Sequence, residues 1–390
     1  MRFREAMKMK KKKALIVTWF SDSNFGQVLQ AYAMQTIFRK LGLDTTILLY
    51  QPDMENGNWL SYYSRNHTHF ANSNHQLRQT LFEVFVRANL KFTRPCTNLE
   101  EVKQVLNQKQ YDVFVCGSDQ IWNPDCYDPV HYLDFGTEYT QPRIAYAPSI
   151  CDESLIPLYG RTVDKMARSM EKVDYLSARE KTGCNIIHNI TGRAALNVLD
   201  PTLLLPAKTW FQFAYPIPGK RIPRKRTYIL CFFLGNIKTF EKDIKTIQQK
   251  RNIDDVIVIQ NKSMEKNETF KTITSLEPKG FITLMKHASF VCTDSFHGTA
   301  FSINLHKQFF VFQRKVTGLK GKDLTYHNVH RVTDLLEILE INDRIIRHGE
   351  DSSSILKQAD LDYKCIEAKL RKQRKKSWAF LRNAVKENEL

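Results

Sequence analysis

Short apolar runs alternate with helix-like patterns along most of the chain. The runs at 14–20, 111–116, 228–234 and 290–293 are largely apolar, which predicts strands buried on both faces. In segments such as 27–42 the apolar residues instead recur at helical spacing. This alternation of strand and helix predicts an α/β fold of the doubly wound type.

The alternation occurs twice, which predicts two Rossmann-like domains that face each other across a cleft. An exposed linker is expected between them, because residues 206–226 contain four prolines and a run of basic residues. The predicted segments are a basic tail at 1–13, an N-terminal α/β domain at 14–205 with a polar insertion at 53–80, the linker at 206–226, a C-terminal α/β domain at 227–345 and a C-terminal helical segment at 346–390.

Polar residues that directly follow predicted strands are the candidates for the functional site. Ligands of open α/β sheets bind at the carboxyl ends of the strands, where such residues meet. The candidates are Asn24, Gly26 and Gln27 after the first strand, Asp119, Trp122 and Asn123 after the strand at 111–116, Arg179 after a strand at 173–177, and Asp294, Ser295, His297, Gly298 and Thr299 after the strand at 290–293.

The segment 292–299 is the most informative of these. Asp294 or Ser295 would cap a helix whose first free amides hold phosphate or carboxylate. His297 would lie in the first turn and titrate near neutrality. A capped helix with a structural histidine is the alternative interpretation.

The other loops also have two interpretations each. In 117–124, Trp122 would stack on a sugar while Asp119 and Asn123 bind hydroxyls, or the loop is a tight turn with a packed Trp. The loop before Gln27 lacks the motif G-x-G-x-x-G, which argues against dinucleotide binding. This loop either lines the cleft or is an ordinary turn between strand and helix. Arg179 would grip an anion or form a surface salt bridge.

Composition and charge change this picture only slightly. The chain has 390 residues, of which 42% are hydrophobic and 25% charged, and this is ordinary globular composition. The net charge of +17 suggests nucleic acid, an anionic membrane or small anions as partners. However, residues 1–13 and 364–376 carry +6 each, so the remaining body is only mildly basic and nucleic acid is not expected.

The C-terminal segment and the cysteines bear on location. An apolar stripe in the basic C-terminal helix docks on the protein itself or lies on anionic lipid.

The eight cysteines include no C-x-x-C pair, so we expect reduced, buried thiols and no zinc site. No apolar run approaches about 18 residues and no signal peptide is expected, which indicates a cytoplasmic protein, with peripheral membrane contact left open.

Six segments in order resemble the polysaccharide pyruvyl transferase family. The resemblance covers about residues 14–345 and implies a two-domain fold like that of GT-B glycosyltransferases. It also implies transfer of pyruvate from phosphoenolpyruvate to a sugar, as a ketal, in bacterial capsule or exopolysaccharide assembly. The matching segments are 24–33, 116–124, 143–147, 177–180, 200–204 and 293–302.

The chain departs from the family at one position. Other branches carry an Arg-x-His where this chain has Ser295 and His297, so another cation is expected to bind the donor. The candidates for that cation are Arg179, Lys286, Arg314 and Arg331.

Ketal formation needs an acid, a base and groups that neutralise phosphate and carboxylate. His297 is expected as acid or base, Asp119 is the second choice for base, and Asp294 would orient His297 or cap the helix. Neither a metal nor a cofactor is expected beyond the co-substrate phosphoenolpyruvate, and the acceptor is a glycan or a lipid-linked sugar. The expected roles are donor binding for Ser295, Gly298, Thr299 and Arg179, and lining of the cleft or acceptor site for Asn24, Gly26, Gln27, Trp122, Asn123 and Asp294.

Two alternatives remain open. A GT-B glycosyltransferase would use a nucleotide-sugar and need a base-binding pocket with an acidic ribose ligand, and the sequence offers no clear candidate for either. A nucleic-acid or membrane-binding module would place its function in the basic tails and not in the cleft.

Overall fold

Two parallel β-sheets organise the protein. The computed structural model describes residues 11–20, 23–52, 73–150, 153–214, 226–259, 268–314, 329–347 and 358–387. The first sheet, of order β2-β1-β3-β4, lies in the N-terminal half (residues 11–214), and the second, of order β12-β11-β10-β7-β8-β9, lies in the C-terminal half (residues 226–347). The strands are β1 Lys13–Val17, β2 Asp44–Ile47, β3 Val113–Cys116, β4 Arg143–Ala145, β5 Ser177–Ala178, β6 Leu196–Asn197, β7 Tyr228–Phe232, β8 Asp255–Ile259, β9 Lys271–Ile273, β10 Phe290–Thr293, β11 Gln308–Phe312 and β12 Ile345–Ile346.

Helices connect the strands and cover the sheets. The central strands β3 and β10 are buried at every residue, as their continuous apolar sequences predict. The helices are α1 Phe25–Lys40, α2 Ser73–Asn89, α3 Leu99–Gln108, α4 Arg161–Glu171, α5 Lys181–Thr191, α6 Pro201–Leu204, α7 Ala207–Phe211, α8 Glu241–Lys250, α9 Pro278–His287, α10 Phe296–Asn304, α11 Val329–Leu339 and α12 Tyr363–Lys386.

The two halves share one hydrophobic core. The ring of Phe25, at the start of α1, stacks on Phe281 of α9 with centroids 4.8 Å apart, and it meets Phe232 edge-on at 5.8 Å. Trp210 of α7 likewise packs edge-on against Phe301 of α10, at 5.0 Å. Aromatic pairs of this geometry add to the stabilisation from burial, so the halves are held in a defined relation.

The helix α12 returns from the C-terminal half to the N-terminal half. Near its start the hydroxyl of Tyr363 donates to the carbonyl of Ser302 (3.2 Å). Further along, the amide of Leu199 donates to Ser377 (2.9 Å), and at the end Tyr175 donates to the carboxylate of Glu387 (3.0 Å). The apolar stripe of α12 is buried, which confirms that it docks on the protein itself: Ile366, Leu370, Leu381, Ala384 and Val385.

Several boundaries differ from the sequence prediction. The edge strands β9 and β12 were not predicted, because they have only three and two residues. The predicted insertion at 53–80 overlaps α2, which begins at Ser73, while residues 53–72 lie outside the described part, as do 1–10 of the predicted tail. The predicted linker contains α7 and the fully buried Trp210, so its first part is a helix that packs on the protein and not an exposed linker throughout; 215–225 lie outside the described residues.

The cysteines follow the sequence prediction in part. Cys96, Cys116, Cys231 and Cys292 are buried free thiols, as expected for small apolar residues. The prediction of burial is wrong for Cys126 and Cys365, which are exposed, because each lies on an outward-facing position of a surface helix or turn; Cys184 is half-buried and Cys151 lies outside the described residues. No helix in the described ranges combines the length and the apolar character that a bilayer crossing needs.

Candidate active site

A cavity of about 170 Å³ lies where the carboxyl ends of the two sheets meet. Residues that follow β1, β3 and β5 line one side, and residues that follow β7, β10 and β11 line the other. This is the position at which open α/β sheets bind ligands. The cavity is lined by Trp19, Asn24, Gln27, Asp119, Gln120, Arg179, Leu234, Asp294, Ser295, Phe296, His297, Arg314 and Arg331.

The N-terminus of α10 reaches this cavity directly after β10. Ser295 is the N-cap, and its hydroxyl accepts a hydrogen bond from the amide of Gly298 at 3.4 Å. The amide of Thr299 donates to the carbonyl of Ser295 at 2.9 Å. Ser295 therefore lines the cavity, and its prediction as a cap is confirmed.

Gly298 and Thr299 do not lie where the sequence analysis expected them. Their amides are used inside the helix and neither residue lines the cavity, so the expectation that they bind the donor anion is wrong. Gly298 instead allows α10 to pack closely on the end of β10, since a Cβ atom there would lie 2.2 Å from the hydroxyl oxygen of Thr293.

His297 is held between the two halves. It is only 8% exposed, and its Nε2 atom faces the Oδ2 atom of Asp200 at 3.7 Å. On its other side the ring packs against Gly26 of α1, where a Cβ atom would lie 2.1 Å from Nδ1. Gly26 is thus required for the close approach of the imidazole and is not itself a lining residue, which corrects its predicted role.

Asp200 lies next to His297 and was not among the candidates selected from the sequence. Its Oδ1 accepts from the amide and hydroxyl of Thr202 (2.8 and 2.6 Å), and its Oδ2 lies 3.1 Å from both Arg179 Nη1 and Ser118 Oγ. Burial alone would raise the pKa of this carboxyl, but the nearby His297 and Arg179 and the bond from Thr202 outweigh burial, so its pKa is lowered. The Asp-Pro-Thr sequence at a helix start was the available signal.

Arg179 lies at the back of the cavity and is fully enclosed. Its Nε donates to Glu180 (2.8 Å), and its guanidinium lies over the ring of Phe296 with 3.8 Å to the centroid. Burial lowers its pKa, but the carboxylates of Glu180, Asp200 and Asp119 more than offset this effect and raise it. Its Nη2 makes no hydrogen bond to any described residue, so this donor is available to a ligand.

Two further arginines line the cavity from the C-terminal half. Arg331 of α11 is 8% exposed, and burial together with the nearby Arg179 lowers its pKa to about 10, so it is still cationic at neutral pH. Arg314 packs across Gly235, where a Cβ atom would lie 2.8 Å from its Cδ. Of the four cations considered from sequence, only Lys286 lies elsewhere, with its ammonium 5.0 Å above the ring of Phe211.

Asp294 joins two strand ends. Its carboxylate accepts from the amides of Leu234 (2.6 Å) and Gly235 (2.8 Å). Burial raises its pKa, although Arg314 and the two amides act in the opposite direction. The expectation that Asp294 orients His297 or caps the helix is therefore wrong: Asp200 faces His297, and Ser295 is the cap.

The loop after β3 divides between cavity and core. Asp119 lines the cavity with its backbone in the left-handed region (φ 61°), and its carbonyl accepts from Ser149 at 2.8 Å. Trp122 is instead completely buried: it stacks on Tyr132 at 5.0 Å and donates to the carbonyl of His131. The prediction that Trp122 contacts a sugar is wrong, because its indole fills the core of the N-terminal half.

Asn123 is also absent from the cavity lining, so its predicted role as a lining residue is wrong. Its side chain caps the 3-10 turn Pro124–Cys126 by accepting from the amide of Asp125 at 3.1 Å. That turn redirects the chain, which explains why the loop leaves the cavity after Gln120.

The loop before α1 does reach the cavity. Asn24 accepts from the amides of Gly26 (2.9 Å) and Gln27 (3.3 Å), so it caps α1, and both Asn24 and Gln27 line the cavity. Trp19 and Gln120 are lining residues that the sequence analysis did not select. Gln120 follows the strand predicted at 111–116, so the rule used for the other candidates would have found it, whereas Trp19 was predicted to lie inside the strand at 14–20, which ends at Val17 in the structure.

Comparison with known proteins agrees with this architecture. The family model described as polysaccharide pyruvyl transferase matches residues 24–315. No curated protein sequence matches the chain significantly.

Among solved structures, the fold is similar to UDP-GlcNAc 2-epimerase from Neisseria meningitidis (TM-score 0.53, 11% identity, 96% of this chain and 97% of that one). It is also similar to UGT89C1 of Arabidopsis thaliana (TM-score 0.53, 12% identity, 98% of this chain and 100% of that one). A third similar structure is a 2-epimerase from Listeria monocytogenes whose assignment is provisional (TM-score 0.51, 9% identity, 92% of this chain and 94% of that one). At these identities the likeness concerns the fold alone, and it confirms the predicted GT-B-like α/β fold.

Proposed function

Because the chain belongs to the polysaccharide pyruvyl transferase family, we propose that it transfers the pyruvyl group of phosphoenolpyruvate to a sugar. The product is a cyclic ketal on a surface polysaccharide or its lipid-linked precursor, and phosphate is released. The observation that carries the proposal is the placement of three arginines and a histidine around one small cavity between the sheets.

The arginines match the charge of the donor. Phosphoenolpyruvate carries a carboxylate and a phosphate group, and guanidinium groups bind both in bidentate fashion. Arg179, Arg314 and Arg331 converge on the cavity, and the N-terminus of α10 adds favourable helix-dipole charge. These groups take the place of the arginine that other branches carry at the position of Ser295.

The acid and base come from opposite sides of the cavity. His297 would donate a proton to carbon 3 of the donor while Asp119 accepts the proton of the attacking sugar hydroxyl, which forms the first C–O bond at carbon 2. A second hydroxyl then forms the other C–O bond as the bond from carbon 2 to the phosphate oxygen breaks, and the proton of this hydroxyl passes to the neutral imidazole of His297. Ionised Asp200 stabilises the imidazolium of His297 before it donates its proton in the first step and again once it has regained a proton in the second.

The test is a phosphate-release assay with phosphoenolpyruvate and a panel of free and lipid-linked hexosides, followed by mass measurement of the product. A product heavier by one pyruvate ketal, and absent with His297→Ala, is expected. Transfer of a hexose from a nucleotide-sugar would overturn the proposal and support the glycosyltransferase alternative.

One observation weighs against that alternative. The UDP-GlcNAc 2-epimerase and UGT89C1 are described in complexes with UDP-GlcNAc and UDP-L-rhamnose, which are much larger molecules than phosphoenolpyruvate. The cavity of about 170 Å³ is smaller than the roughly 300–1,000 Å³ typical of sites for drug-sized ligands. It is therefore small for a whole nucleotide-sugar.

We also propose that the protein is cytoplasmic and contacts an anionic membrane through α12. The apolar side of this helix is used in docking, while Arg371, Lys375, Lys376 and Arg382 are exposed on its outer side. Such contact would be purely electrostatic and would bring the cleft near a lipid-linked acceptor.

A further inference from the structure

The cavity has two walls of different chemistry. The C-terminal wall contains Arg314 and Arg331 together with Asp294, Ser295 and His297. The N-terminal wall consists of Trp19, Asn24, Gln27, Asp119 and Gln120, and so combines one indole, three amides and one carboxylate without a cation. Arg179 lies where the walls meet, over Phe296 and 4.0 Å from Asp119.

Trp19 is the aromatic side chain of the N-terminal wall, and its surroundings fix its position. It follows β1 by two residues, and its carbonyl accepts from Gln30 at 2.7 Å. Its ring meets the ring of His131 edge-on, with centroids 6.1 Å apart and planes at 79°. Burial lowers the pKa of His131 despite the nearby Asp128, so the indole packs on a neutral imidazole.

Gln27 provides a second, independent indication of a ligand. Its Oε1 atom is buried and makes no hydrogen bond to any described residue, although the residue lines the cavity. A buried amide oxygen without a donor is costly, and a ligand hydroxyl would satisfy it.

We propose that the N-terminal wall is a pyranose subsite, in which Trp19 stacks on the C–H face of the acceptor sugar. Gln27, Gln120 and Asp119 bind its hydroxyls, and amides can both donate to and accept from such groups. An indole offers a large apolar face for this contact. The inference rests on the proposed function only in taking the sugar to be the acceptor of the pyruvyl group.

The arrangement also places the attacking hydroxyl next to the base. A sugar on Trp19 would present its edge to Asp119 on the same wall, while the donor is held by the arginines opposite. The base therefore belongs to the acceptor subsite and the acid to the donor subsite.

Binding of free sugars to the full chain tests the subsite without requiring turnover. The probes are methyl glycosides of glucose, galactose and mannose and their N-acetylamino counterparts. Their binding is measured by saturation-transfer NMR and by tryptophan fluorescence. We expect at least one glycoside to bind the wild type and Trp19→Ala to weaken it about tenfold or more, with Trp19→Phe in between. Trp378→Phe is the matched control, because Trp378 is a half-buried tryptophan of α12 and not of the cavity.

Phosphoenolpyruvate binding separates the two walls. Trp19→Ala should leave the donor affinity within about twofold of wild type, since the proposal places the donor on the arginines and not on the indole. Unchanged glycoside binding in Trp19→Ala, or a loss of donor affinity in place of sugar affinity, would overturn the subsite. If Trp19→Ala loses sugar binding but the wild type shows no pyruvyl transfer, the result would support the subsite and count only against the proposed function.

Discussion

The two walls of the cavity differ in how their side chains are held. On the C-terminal wall, His297 and Arg331 are more than nine-tenths buried and lie within a network of charged groups. On the N-terminal wall, Trp19, Asn24, Gln27 and Gln120 are half-buried and neutral. Enclosure strengthens electrostatic interactions, so the first wall suits a donor of fixed charge, whereas the second suits acceptors that differ in their hydroxyl pattern.

The largest effect is expected from His297→Ala. Removal of a positioned acid or base typically lowers the rate by about 10²–10⁴-fold, and the imidazole is the group that faces both Asp200 and the cavity. The measurement is kcat for phosphate release, with circular dichroism to verify folding. A folded variant with wild-type kcat would show that the C-terminal wall only binds and does not catalyse.

Arg331→Gln should come next. Loss of one charged hydrogen bond costs about 1.5–3 kcal/mol, so we expect KM for phosphoenolpyruvate to rise roughly 10–100-fold with a smaller change in kcat. Arg371→Gln is the matched control, because it removes an exposed guanidinium of α12 that does not line the cavity. An equal effect of both variants would mean that overall charge, and not the C-terminal wall, attracts the donor.

Asp200→Asn tests the connection between the halves. Without the carboxylate, Arg179 loses a buried partner, and such losses cost about 3–5 kcal/mol of stability. The pKa of Asp200 is lowered in the fold, so its contribution is present above the ordinary Asp pKa of about 4 and fades as the pH falls below that value. Urea unfolding should therefore show a gap between wild type and variant at pH 7 that narrows towards pH 3.

The control for Asp200→Asn is Glu180→Gln, which removes the other close partner of Arg179 but leaves the contact with His297. We expect Asp200→Asn to lower kcat about tenfold more than Glu180→Gln and to shift the pH dependence of kcat to lower pH, because the imidazolium loses its counter-charge. If Asp200→Asn and Glu180→Gln have identical pH profiles of kcat, Asp200 has only a structural role.

The smallest effect on catalysis is expected from Lys375→Glu/Lys376→Glu. Both side chains are exposed on α12, so kcat with a soluble acceptor should remain as in wild type. Binding to vesicles with anionic lipid should weaken and should depend on salt, since each basic residue contributes about 1 kcal/mol near such a surface. Lys242→Glu/Lys245→Glu, on the exposed side of α8, is the control; equal loss in both would contradict a specific role for α12.

Local patterns were sufficient to predict most of the fold and several residues on both walls of the site. Continuous apolar runs located β1, β3, β7 and β10, and the rule that ligands lie at strand ends placed His297 at a cavity. These features depend on neighbours in sequence, which is why they could be predicted from one chain.

Contacts between distant segments could not be predicted in the same way. Asp200 meets His297 only because α6 and α10 pack together across the two halves. The choice between two tryptophans is similar: both follow strands, but the turn after Asn123 directs Trp122 into the core, while Trp19 remains at the cavity. Such outcomes depend on how segments pack, and a single sequence does not specify that.

The path of α12 has a consequence for the order of synthesis. Leu199 and Leu203 use its Ser377 and Arg374 as hydrogen-bonding partners, although these follow them by 178 and 171 residues in the chain. The N-terminal half is therefore translated long before the surface that completes it exists. A premature stop codon early in α12 would consequently leave an incomplete surface on the half of the protein that lies farthest from it in the gene.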